Sequence, residues 1–187
     1  MSAEEVKRFE KALAFHAAPT LMGVKCGSLL ALSVNEYDLT ECSALIEAKR
    51  YGGDVCVRTV SRCPERRLLF VYNFHLLREA LEKEGIREFL TRYGYRPGYD
   101  AERCLDRLCE RLAESDFPHE IGIFLGYPLE DVKGFIRNCG QRCKYCGVWK
   151  VYGDVERAKA LFECYEQCRR QLCSELASGK ALCNICQ

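Results

Sequence analysis

Hydrophobic positions along the 187-residue chain change period several times, and each change marks an element. Residues 3–15 place Val6, Phe9, Leu13 and Ala14 near helical spacing. Ser2 is a natural N-cap there, with Glu5 three residues on as its capping-box partner. Pro19 and Gly23 are expected to break "APTLMGVKCGSLLALSV" before a short apolar run suited to a buried strand. "YDLTECSALIEAKRYGG" reads as a helix ended by Gly52 and Gly53. Two strand-like runs follow. "DVCVRTVSR" alternates Val55, Val57 and Thr59 with Cys56, Arg58 and Val60, and "RRLLFVYN" is continuously apolar, as a central strand should be. "CPE" between them predicts a hairpin turn.

Residues 74–114 are helix-rich with a break near "YGYRPGYD", and "KYCGVWKVYG" is strand-like. Asp154 is the N-cap of a last long helix that runs to Gly179. Its stripe is Ala158, Leu161, Phe162, Tyr165, Cys168, Leu172 and Leu176. This order predicts an α/β fold, with α+β as the near alternative. One domain over 1–187 is expected, holding a small mixed sheet with a β-hairpin, flanked by many helices. Residues 179–187 are expected to form a mobile, cysteine-containing tail.

"HEIGIFLGYPLEDVKGFI", 119–136, has the pattern of a helix-turn-helix corner. Gly122 suits a helix crossing, Leu125-Gly126 closes one helix, and Pro128 opens the next. A recognition helix needs basic or amide side chains in its first turn. Leu129, Glu130 and Asp131 stand there instead, and the two carboxylates repel phosphate. The corner is therefore expected to be structural, with no nucleic acid as partner.

Composition narrows the classes further. Apolar content is 48%, charged content 29% and net charge +1, so no global field draws the chain to nucleic acid or membrane. No apolar run reaches the ~18 residues of a membrane span. "MSAEEVKRFEKALAFH" is charged throughout and lacks the apolar core of a signal peptide. With 14 cysteines and no such leader, the expectation is a reducing cytoplasm in which most thiols are free.

Chemistry is suggested most directly by "NCGQRCKYCGVWKVYGD", where Cys139, Cys143 and Cys146 form a C-x3-C-x2-C array. Thiolates are soft ligands for zinc, copper or iron–sulfur clusters. A structural zinc would need a fourth ligand, for which Cys164, His119, Cys183 and Cys186 are the candidates. A radical-SAM cluster loop shares the spacing, but the 41 residues after Cys146 are too few for the barrel that chemistry needs. Redox thiols and inert thiols stay open beside metal binding, with Cys139 ending a helix before Gly140 and Cys146 packing beside Trp149.

Three segments together, "HAAPTLMGVKCGSLL", "FPHEIGIFLGYPLEDVKGFI" and "CGVWKVYGD", resemble the bacterial family known as domain of unknown function 3793. The resemblance spans nearly the whole chain. It implies an anaerobic bacterial setting and a link to redox or iron physiology, with a flavodoxin or iron-related partner. It supplies no catalytic residues. Cys139 and Cys143 fall outside the family's pattern, and Ala17 stands where a cysteine commonly precedes "APT". Two functions follow as expectations. One is a thiolate-based metal or redox-linked role using Cys139, Cys143 and Cys146, with Cys164, Cys183 or Cys186 in support and zinc or an iron–sulfur cluster as cofactor. The other is a non-enzymatic binding module with inert cysteines, centred on "HAAPTLMG" and "PHEIGIFLGYP".

Overall fold

In the computed structural model the described residues are 1–33, 35–49, 51, 54–61, 66–114 and 116–185. Helix α1 (Ala3–Leu21) opens with the expected capping box. The Ser2 hydroxyl accepts from Glu5 N, and the Glu5 carboxylate accepts from Ser2 N. The helix does not stop before Pro19 but runs through it. Proline there removes the donor that would reach the carbonyl of Phe15. Phe15 is 53% exposed, so the helix faces solvent at this point. Beyond it, Pro19 O accepts from the backbone N–H groups of Val24 and Lys25 and closes the turn.

The sheet is built from β1 (Gly27–Ser33), β2 (Val55–Ser61) and β3 (Arg66–Asn73), with α2 (Leu39–Lys49) between the first two. Strand order is β1-β3-β2, so the uninterrupted apolar run of β3 takes the central place expected of it. Both pairings are antiparallel, where a mixed sheet was anticipated. The connection before β3 is short, which favours an antiparallel return over a crossover. The expected turn at 63–65 and the helix stop at Gly52 and Gly53 lie outside the described residues.

The sheet separates two cores. Leu30, Leu32, Val55, Val57, Leu69 and Val71 face Phe9 and Leu13 of α1, Ile46 of α2, and Cys168 and Leu172 of α8 (Val155–Ala177). Phe70 and Tyr72 face α3 (Phe74–Glu82), α4 (Ile86–Thr91), α5 (Ala101–Ala113), α6 (Ile121–Phe124) and α7 (Leu129–Arg137). Across the edge of this layer Arg58 of β2 pairs with Glu102 of α5. The result is a mixed α/β architecture with helices on both faces of a small sheet.

The strand-like "KYCGVWKVYG" does not join that sheet. It folds on itself as two-residue strands, β4 (Tyr145–Cys146) and β5 (Lys150–Val151), in a separate antiparallel hairpin. Asp154 then caps α8 through Arg157 N, and Gly179 takes the left-handed conformation (φ 89°) just past its end. Within 179–187, the segment expected to be a mobile tail, a short helix α9 (Leu182–Ile185) places Leu182 fully inside the first core. The apolar Leu182 side chain anchors it there.

Candidate functional site

The corner at 119–136 forms as its pattern predicts. Gly126 closes α6 at φ 76°, and α7 starts after Pro128. Gly122 is the crossing point, since a Cβ there would stand 2.7 Å from Val132 Cγ2. What the sequence did not disclose is the task of Asp131. Its side chain is 2% exposed and accepts three hydrogen bonds. Trp149 Nε1 donates to Oδ2 at 2.7 Å, and the backbone N–H groups of Tyr152 and Gly153 both donate to Oδ1 at 2.7 Å. Standing in the first turn of α7, the carboxylate also meets the positive end of the helix dipole. It ties the β4–β5 hairpin onto α7.

The hairpin is held from other sides as well. Tyr152 lies flat along α7 at Gly134, where a Cβ would come within 2.4 Å of Tyr152 Cγ. Gly134→Ala is therefore expected to destabilise the protein by about 1–3 kcal/mol, the usual cost of overpacking a tight contact. Urea unfolding followed by circular dichroism measures it, and a change under about 0.5 kcal/mol would show that Tyr152 moves aside freely. Trp149 stacks on Tyr127 (centroids 4.7 Å apart, 25° between planes) and meets Phe162 of α8 edge-on at 4.4 Å. Lys25, from the segment after α1, reaches the same cluster. Its ammonium lies 5.5 Å from the Tyr127 centroid and 5.6 Å from that of Tyr165. All three segments quoted for the family resemblance thus converge on one aromatic cluster.

Beside this cluster is a cleft of about 380 Å³ between the α6–α7 corner and the hairpin. Its walls include Phe117, Leu125, Tyr127, Val132, Phe135 and Trp149. Phe117 (40%) and Val148 (45%) are among the few large apolar side chains left exposed, and both border it. His119 and Lys150 are its exposed polar members; the His119 ring lies 5.0 Å from that of Phe135. Lys150 Nζ donates one hydrogen bond to Gly140 O at 2.6 Å and retains two further donors.

The cysteine array is arranged differently from its sequence spacing. Cys139 is exposed in the left-handed conformation (φ 48°) just past α7, Cys143 is half-buried, and Cys146 is exposed on β4 where it lines the cleft. Among the described residues no three histidine, cysteine, aspartate or glutamate side chains form a group able to hold a metal ion. That statement covers Cys139, Cys143, Cys146 and His119. Cys164 is half-buried on α8 next to Cys168, whose thiol is pushed up by burial and by Cys164 itself. Cys183 belongs to α9, and Cys186 lies outside the described residues.

A family model described as protein of unknown function (DUF3793) matches residues 13–186. No curated protein and no solved structure matches the chain.

Proposed function

Because the chain belongs to the DUF3793 family, whose description names no activity, we propose from geometry that it is a binding module holding a planar aromatic acid in the cleft between α6, α7 and the β4–β5 hairpin. One observation supports this above others: a cleft of about 380 Å³, within the ~300–1,000 Å³ of small-molecule sites, walled by the rings of Phe117, Tyr127, Phe135 and Trp149. Aromatic walls favour a flat apolar ligand by area and by offset stacking. The polarity within the cleft sets its orientation. The Asp131 carboxylate accepts from three donors and offers none, so it repels an anionic group; the Lys150 ammonium attracts one, and the His119 ring can donate a hydrogen bond to it. The thiols do not enter this chemistry. A reducing cytoplasm suits them, since the eleven cysteines whose side chains are described are free, and no helix among the described residues is long and apolar enough to cross a membrane.

Trp149 is the chain's sole tryptophan, so its emission reports directly on the cleft. Titration with 1-naphthoate is expected to quench it saturably, with heat released in parallel calorimetry. Val148→Asp and Phe135→Ala should each weaken binding about tenfold or more, through charge repulsion and about 1.4 kcal/mol of lost contact. Lys150→Ala should weaken naphthoate but leave neutral naphthalenemethanol unchanged. No saturable signal at millimolar ligand, or binding that survives Val148→Asp, overturns the reading. So does one equivalent of iron or zinc in anaerobically purified protein that is lost when Cys139, Cys143 and Cys146 become serine.

A further inference from the structure

Lys25 is a half-buried amine that lines no wall of the cleft. Its backbone is fixed just past α1, where Lys25 N donates to Pro19 O at 3.0 Å. Its ammonium is flanked by the rings of Tyr127 and Tyr165. Among the described residues no carboxylate lies within ion-pairing distance of it. The adjacent Cys26 gives no counter-charge: its thiol points inward and donates to Phe124 O at 3.3 Å, and burial pushes it up to about 11. Nor do the rings, because burial raises Tyr127 to about 12 and Tyr165 higher still, so both stay neutral phenols. Two ring faces return only part of the hydration an ammonium loses on burial. The environment therefore shifts the amine toward its neutral form, while the side chain keeps partial contact with solvent.

We propose that Lys25 is a carbonyl-capturing amine, which condenses with a small aldehyde to an imine in the Tyr127–Tyr165 cage. The Nζ lone pair attacks the carbonyl carbon and a C–N bond forms. The carbonyl oxygen leaves as water with the two hydrogens of the amine, so no oxidant or reductant takes part. An imine is uncharged, and it relieves the cost of a buried ammonium without a counter-ion. This inference is independent of the ligand in the neighbouring cleft. Burial draws Lys25 down to about 8, so about one-tenth of it is free amine at pH 7, against roughly three parts in ten thousand for an ordinary lysine.

The test is reductive trapping on the full chain. Butanal and cyanoborohydride are added at pH 7 for a short, fixed time, and modified lysines are mapped by peptide mass spectrometry. Lys25 is expected to be alkylated about tenfold or more faster than Lys7 and Lys11, which are exposed on α1; a lower pKa raises the free-amine fraction more than it lowers intrinsic nucleophilicity. Lys25→Arg should bring total labelling down to the surface rate while retaining the helical circular dichroism. Labelling of Lys25 no faster than of Lys7 and Lys11, or only after denaturation, overturns the proposal. If Lys25→Arg does not fold, the wild-type map alone decides.

Discussion

Asp131→Ala is expected to lower folding stability by about 3 kcal/mol or more and to release the hairpin from α7. Three donors lose their acceptor together: the Trp149 indole N–H and the backbone N–H groups of Tyr152 and Gly153. Each buried donor left unmade costs about 1–3 kcal/mol, and the half-buried Tyr152 and Gly153 fall at the low end because water can reach them. Asp131→Asn separates charge from shape. If its oxygen keeps the two backbone donors, its NH2 group faces the Trp149 N–H, donor against donor, so an intermediate loss is expected. Urea unfolding gives the stability. The emission of Trp149, now 7% exposed, gives the local effect and should shift to the red in both variants under native conditions. Asp131→Ala within about 0.5 kcal/mol of wild type, with unshifted emission, would remove this carboxylate as the organiser of the cleft.

The second large effect is a loss of stability in alkali. Burial pushes the thiols of Cys26, Cys42 and Cys104 up to about 11 from an ordinary value of 9.0. In the folded chain they keep their protons to about pH 11, whereas in the unfolded chain they release them near 9. Above pH 9 the unfolded state therefore binds fewer protons, and stability falls as pH rises; below 9 the contribution is fully present. Lys25 acts with the opposite sign between about 8 and 10.5, since its folded value is lowered. One group opposes three, and the raised phenols of Tyr72 and Tyr165 add to the three. At about 1.4 kcal/mol per group per pH unit, the net loss reaches several kcal/mol by pH 11. Unfolding in urea with reductant present, compared at pH 7.5 and 11, measures it. Cys42→Ala should flatten the slope even though its cavity lowers the starting stability. Equal stability at both pH values would mean that these thiols are hydrated in the folded state.

Local signals in the sequence were read correctly where the physics is local. The Ser2–Glu5 box, the Asp154 cap and the αL glycines at 126 and 179 act within a turn of their own position, so spacing alone identifies them. The apolar run of β3 has one sensible place, between two other strands. The cleft was different. Asp131 carries a dipole-compatible charge whatever it touches, and its partners lie 18 to 22 residues downstream. The cage of Lys25 comes from residues more than 100 positions away. The cysteine array is the converse case. Close spacing along the chain left metal binding, redox and inert thiols open together, and Cys139 stands just past a helix stop while Cys146 lies in a hairpin strand. Pro19 reads as a breaker because the rule for proline concerns lost hydrogen bonds, and a sequence does not show which carbonyl water can serve.

The packing of α1 on α8 constrains how this chain is made. Phe9 and Leu13 are buried in the same core as Cys168 and Leu172. During synthesis α1 can pack early on β1 and α2, but the part of its stripe that meets α8 has its partner about 150 residues behind. At about 5–20 residues per second, that part of the stripe waits on the order of ten seconds or more for α8 to arrive. Nascent chains stalled before residue 155 should accordingly bind chaperones and resist compaction, and full-length chains should fold as α8 clears the exit tunnel.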